Sequence, residues 1–164
     1  MRIRRCIRPS FDNRIKALVL AAPLYDIYAL LSEEIPKALQ NAPAFILDTL
    51  TKLAARSNAF TRVSLEHAVD ASRVNSMAEL MALAKRIPPV DPASIHCPVL
   101  CLVGDGDSNE QMRQCRTFYE NVSSSDKAMR IFTQEDGASM HCQIDNFNLL
   151  EQVAFDWLSE VFET

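Results

Sequence analysis

The most informative run in this chain is Cys97-Pro98-Val99-Leu100-Cys101-Leu102-Val103-Gly104-Asp105-Gly106-Asp107. Apolar residues fill the interval between Pro98 and Gly104, which is typical of a short, fully apolar strand. Asp105 and Asp107 follow this strand directly. Because sites in an open parallel sheet form at the carboxyl ends of its strands, these two acids are candidate site residues.

A carboxylate at a strand end can accept a hydrogen bond from a histidine and stabilise the imidazolium that forms during general-base catalysis. Aspartate and glycine are also favoured in helix caps and turns, so a purely structural turn is the alternative. A phosphate-binding loop is disfavoured, because neither the dinucleotide-binding nor the Walker spacing of glycines is present. The sequence around Asp107 therefore predicts a catalytic acid or a turn.

Strands and helices alternate on both sides of this run. Residues 15–22 predict a strand buried on both faces of a parallel sheet, and residues 128–132 predict a third strand. Residues 108–121 and 146–162 carry apolar side chains at helical spacing. The alternation predicts an α/β fold with about three parallel strands joined by right-handed crossovers.

From about residue 28 to residue 87 the sequence changes to long helical segments. Residues 42–55 and 77–87 have apolar residues at helical spacing, and Ser76 is expected to cap the second segment. The pair Pro88-Pro89 ends this region. We therefore expect one α/β region, formed by residues 1–27 and 88–164, and one helical insertion at residues 28–87.

The second candidate site residue is His141, in a loop between the third predicted strand and the last predicted helix. Histidine has an ordinary pKa of about 6.5, which suits proton exchange near neutral pH. The interval from Asp107 to His141 leaves room for one helix, one strand and one loop, so both residues fall at successive strand ends. The order acid then histidine is that of the α/β-hydrolases. A structural histidine is the alternative.

Three segments of the chain resemble the C-terminal part of the α/β-hydrolase superfamily. Residues 97–107 are similar to its acid-bearing strand, and residues 137–143, followed by 155–158, look like its histidine loop and final helix. Residues 11–26 resemble the strand after the nucleophile. The branch that this resemblance favours contains bacterial pseudooxynicotine hydrolases, fungal polyketide-shortening hydrolases and FrsA-like esterases, and the similarity covers nearly the whole chain.

The resemblance implies a partial hydrolase core at residues 1–27 and 88–164, with residues 28–87 as a helical cap that excludes water from the substrate. Asp107 would be the triad acid and orient His141, the general base for a serine. The implied substrate is a small molecule, an ester or polyketide-like compound of secondary metabolism, cleaved at a C–O or C–C bond. No cofactor and no metal is implied.

The family's nucleophile motif, Gly-x-Ser-x-Gly, does not occur in this sequence. By the family pattern it would lie at or before Met1, so we expect the chain to begin just after the nucleophile. Serines of the chain are poor substitutes, because Ser10 is in the arginine-rich start, Ser32 and Ser57 are in predicted helices, and Ser139 lacks a preceding strand. Cys142 is adjacent to His141, and neighbouring side chains are expected to point apart, which disfavours it as a nucleophile.

Two other classes of protein remain open. The chain could be an inactive, truncated hydrolase remnant that acts as an interaction module, since a sheet reduced to its last strands leaves an unpaired edge. It could also be a small flavodoxin-like domain in which Asp105 and Asp107 bind a divalent cation, although the long helical region disfavours that fold. A homo-oligomer, or association with a chain that supplies the missing core, is the expected partnership.

Composition and charge limit the remaining classes. With 164 residues, 48% of them hydrophobic, one sizeable core is expected. A net charge of -4 without a broad basic stripe argues against nucleic acid as a partner. No apolar run approaches the roughly 18 residues of a membrane span. The odd number of cysteines and the absence of a secretory signal predict reduced thiols and a cytoplasmic location, and the arginine-rich start resembles a targeting peptide only faintly.

Overall fold

The structure of the chain is a computed structural model that describes residues 14–33, 35–57 and 59–163. It divides into a helical unit, Ile27–Pro89, and an α/β unit that consists, among the described residues, of 14–26 and 90–163. The predictions that concern residues 1–13, among them the arginine-rich start, Cys6 and Ser10, lie outside the described residues.

The α/β unit contains three parallel strands in the order β1-β2-β3, which confirms the predicted sheet. The strands and the helices of this unit are β1 (Leu18–Ala21), β2 (Val99–Gly104), helix α5 (Asn109–Asn121), β3 (Lys127–Phe132) and helix α6 (Phe147–Glu163). Short 3-10 turns, Pro92–Ser94 and His141–Gln143, precede β2 and α6. The helices α1 to α4 belong to the other unit.

Strand β2 is the centre of the sheet, and all of its residues are buried. Alternate residues of a strand point to opposite faces, and β2 is apolar on both. Val99, Cys101 and Val103 share one core cluster with Phe118 of α5. Leu100 and Leu102 share the other cluster with Ala154 of α6. The sheet is therefore covered by a helix on each face, as expected of an α/β fold.

Strand β1 differs from the prediction, which had it buried on both faces. Leu18, Val19 and Leu20 are only partly buried, and Ala21 is exposed. Among the described residues β1 pairs with β2 alone. An edge strand with one open side is less covered than a central one, and this explains the difference.

The helical unit contains α1 (Ile27–Glu33), α2 (Ala44–Ala54), α3 (Ala59–Ser72) and α4 (Met77–Lys85), with a 3-10 turn at Lys37–Leu39. Its core is formed by Leu47, Met77, Leu80 and Met81. The predicted cap of α4 is confirmed, because Ser76 Oγ accepts a hydrogen bond from Glu79 N at 3.3 Å. Ser57, which was predicted to be helical, lies beyond the end of α2.

None of the helices in the described ranges is long and apolar enough to cross a membrane.

Candidate active site

Asp107 lies in the tight turn between β2 and α5. Its backbone N–H donates to Gly104 O at 3.1 Å, and its carboxylate Oδ2 accepts a hydrogen bond from Gly104 N at 3.2 Å. The side chain is 1% exposed. A buried carboxylate is costly unless it is hydrogen-bonded or paired, so the second oxygen of Asp107 needs a partner.

His141 provides that partner. It is the first residue of the 3-10 turn before α6, and its Nδ1 lies 2.7 Å from Asp107 Oδ1. The turn after β2 lies close to the segment that leads to His141, because Gly106 N donates a hydrogen bond to Ser139 O at 3.1 Å. The histidine side chain is 57% exposed. The structure thus places the two predicted site residues in contact, with the acid buried and the imidazole open to solvent.

Gln111 is a member of the site that sequence reasoning missed. It stands in the first turn of α5, is 6% exposed, and its Nε2 lies 2.9 Å from His141 Nδ1. When Nδ1 carries a proton, the amide nitrogen of Gln111 cannot donate to it. The nitrogen and oxygen ends of an amide are alike in shape, so an amide turned by 180° presents its oxygen, and the Nδ1–H can then contact both Asp107 and Gln111. The one feature of the sequence that could have indicated Gln111 as a site residue is its position four residues after Asp107. Gln111 restricts the rotation of the ring.

Cys142 contacts the opposite nitrogen of the same ring. Its Sγ lies 3.4 Å from His141 Nε2. The expectation that these neighbouring side chains point apart is therefore wrong. The reason is the backbone, because Cys142 has a φ of 53° and Gln143 a φ of 50°. Two successive left-handed residues turn the thiol back toward the imidazole, a conformation that sequence patterns do not predict for these residue types.

These contacts raise the pKa of His141 to about 10, first through the hydrogen bond with Asp107 and second through the contact with Cys142. At neutral pH the ring is therefore an imidazolium. The raised pKa means that the pair stabilises the fold fully below pH 6.5, the ordinary pKa of histidine, and that this contribution is lost as the pH rises through about 10.

Gln143 is the third residue of the turn and is completely buried. Both its side-chain nitrogen and its side-chain oxygen lack a hydrogen-bond partner among the described residues. A buried polar group without a partner costs about 1–3 kcal/mol. The Gln143 amide is thus a buried polar group that the described residues leave unsatisfied.

The other candidates of the sequence do not join the site. Asp105 is exposed, and its backbone N–H donates to Phe132 O at 2.8 Å. Within the described ranges no group of three or more His, Cys, Asp or Glu side chains is arranged to hold a metal ion. His67, on α3, and His96, before β2, are both exposed. The site consists of Asp107, His141, Gln111 and the turn that carries Cys142.

No model of a known protein family matches this sequence, and no curated protein matches it.

Proposed function

We propose that the chain is part of an α/β-hydrolase-type enzyme in which Asp107 orients His141 for proton transfer. The observation that carries this proposal is the 2.7 Å contact between the buried carboxylate and Nδ1 of the imidazole. A carboxylate in this position fixes the tautomer of the ring and stabilises the imidazolium. The acid follows β2 and the histidine follows β3, the chain order of the acid and the histidine in α/β-hydrolases.

The proposed reaction uses both protonation states of His141. The neutral ring accepts the proton of a serine hydroxyl, and the imidazolium then donates it to the leaving group. Since the sequence has no Gly-x-Ser-x-Gly, we propose that the serine comes from a segment outside this sequence. Because the pKa of His141 is about 10, we expect hydrolysis to increase as the pH rises toward that value.

The substrate class follows from the resemblance to polyketide-shortening hydrolases and esterases. We propose a small ester or polyketide-like molecule of secondary metabolism, cleaved at a C–O or C–C bond, in a cytoplasmic reaction that uses no cofactor. The helical unit Ile27–Pro89 is proposed to be the cap of this enzyme. The alternative is an inactive hydrolase remnant, which the missing nucleophile motif favours.

Strand β1 supports the proposal that the sheet is completed by further chain. Its backbone pairs with β2 on one side, and no second partner strand is present among the described residues. An unpaired edge is a template for another strand. We propose that a segment outside this sequence, a second copy or another polypeptide occupies it.

Hydrolysis of p-nitrophenyl butyrate tests the proposed function. The chain is compared with a version extended upstream through an encoded Gly-x-Ser-x-Gly, and each is prepared with and without His141→Ala. We expect activity in the extended protein and a loss of about 10³-fold or more in its His141→Ala variant, because a triad acts as a unit. His96→Ala, an exposed histidine of the same unit, is the matched control and is expected to retain activity.

The other outcomes separate the alternatives. Activity that survives His141→Ala contradicts the assigned role of the histidine. An extended protein that does not hydrolyse the ester favours the alternative, an inactive hydrolase remnant. If the short chain is active and its His141→Ala variant is not, the proposed role of the Asp107–His141 pair is retained. The nucleophile would then lie within the chain itself.

A further inference from the structure

Cys142, His141 and Asp107 form a continuous chain of contacts from a thiol to a buried carboxylate. The thiol sulfur lies 3.4 Å from His141 Nε2, and the carboxylate oxygen lies 2.7 Å from Nδ1 of the same ring. A nucleophile on one side of an imidazole and an orienting acid on the other is the arrangement that activates cysteine in enzymes.

We propose that Cys142, held against the His141 ring, is a nucleophile and a site of covalent reaction with electrophilic carbon compounds. This site goes beyond the proposed serine hydrolysis and does not depend on it. The buried Asp107 side chain favours a positively charged ring, and a cysteine next to a histidine cation is in an environment typical of reactive cysteines.

The covalent step is a simple displacement. With iodoacetamide, the sulfur of Cys142 donates an electron pair to the methylene carbon and forms an S–C bond. The C–I bond breaks, and iodide leaves with its electron pair. The proton of the thiol is released to solvent, and the product is a neutral thioether beside His141.

Two independent features of the turn support a reactive site. Cys142 and Gln143 both have a positive φ, a conformation that costs a non-glycine residue of order 1 kcal/mol or more and that is concentrated at functional sites. Gln143 is completely buried, with both amide atoms unpartnered among the described residues. The turn therefore holds the thiol in a strained backbone conformation, and the next residue along the chain carries a buried amide that the described residues leave unsatisfied.

The charged groups of this turn and of the end of β2 are His141, Asp145, Asp107 and Asp105. Asp145 accepts a hydrogen bond from Met140 N at 3.1 Å. Asp105, at the end of β2, is exposed. Gln111 of α5 and Gln143 contribute neutral amides. The imidazolium is thus the cation in contact with the sulfur.

The other described cysteines provide internal comparisons. Cys101 and Cys115 are completely buried and are not accessible to reagent in the folded chain. Cys97 is partly buried, and burial raises the pKa of its thiol. A buried, uncharged thiol is inert, whereas a thiolate is the reactive form. Among the four described cysteines, alkylation of the folded chain should therefore occur first at Cys142.

The test is the rate of alkylation by iodoacetamide at pH 7, followed by peptide mass spectrometry of the folded, full chain, with glutathione in the same tube as a free-thiol reference. We expect Cys142 to be alkylated about 10-fold faster than glutathione, because its sulfur contacts the His141 ring. A Cys142 rate no higher than the glutathione rate would overturn the proposal.

Variants identify the source of the effect. His141→Gln is expected to lower the Cys142 rate to that of glutathione, and Cys97→Ser is expected to leave the Cys142 rate unchanged. A Cys142 rate that stays high in His141→Gln also overturns the proposal. If His141→Gln fails to fold, the Cys142 rate of the unaltered chain still decides the question. Alkylation does not report ester hydrolysis, so failure here and failure of the proposed function are distinguishable.

Discussion

Replacing Gly104 by alanine is expected to lower the free energy of unfolding by about 3 kcal/mol, the upper range for overpacking a close contact. A Cβ at this position would lie 2.7 Å from the carbonyl carbon of Ser139 and closer still to its oxygen. Both are backbone atoms, and the hydrogen bond from Gly106 N to Ser139 O holds them in place. The segment that carries His141 must therefore move.

Urea unfolding measures the effect, and Gly137→Ala is the matched control. Gly137 also follows a strand of the sheet, but the nearest atom to an added Cβ is 4.0 Å away. Its φ of 67° makes alanine costly by about 1–2 kcal/mol through the backbone alone. Equal stability of the two variants would contradict the close contact between β2 and the histidine segment.

Replacing Gln114 by leucine is expected to destabilise the α/β unit by about 2–4 kcal/mol, because partly buried polar groups of the backbone lose three hydrogen bonds. The side chain is completely buried on α5. Its Oε1 accepts from Tyr25 N at 3.1 Å and from Asp26 N at 3.0 Å, and its Nε2 donates to Asp26 O at 2.8 Å. One side chain thus ties α5 to the segment after β1.

The control for this change is Gln152→Leu, the same substitution at an exposed position of α6. It is expected to change the free energy of unfolding by less than about 0.5 kcal/mol, as is usual at surface positions. The midpoints of urea unfolding are compared for both variants. A Gln114→Leu protein as stable as Gln152→Leu would show that these hydrogen bonds contribute little.

The sheet could be predicted because its signals are local. Strand β2 is apolar on both faces and is bounded by Pro98 and Gly104, and the structure buries it completely. Helix α4 could be predicted from its apolar residues at helical spacing and from Ser76, whose Oγ accepts the hydrogen bond that caps its first turn. The exposure of β1 could not be predicted, because it depends on which strands pair with it and not on its own residues.

The site could be predicted only in part. The positions of Asp107 and His141 at successive strand ends follow from the alternation of strands and helices. Gln111 and Gln114 look like ordinary surface residues of an amphipathic helix, and their burial results from packing of that helix. The contact of Cys142 with the imidazole depends on a left-handed backbone, which is usually associated with glycine or asparagine.

Titration of the His141 ring by NMR tests the central claim, the pairing of Asp107 with His141, most directly. The signal is assigned by its loss in His141→Gln. We predict a midpoint near pH 10 in the unaltered chain and a lower midpoint, toward 6.5, in Asp107→Asn. In Cys142→Ser the midpoint should stay above 6.5, because the hydrogen bond with Asp107 is the larger cause. A midpoint of about 6.5 in the unaltered chain, unmoved by Asp107→Asn, would contradict the pairing.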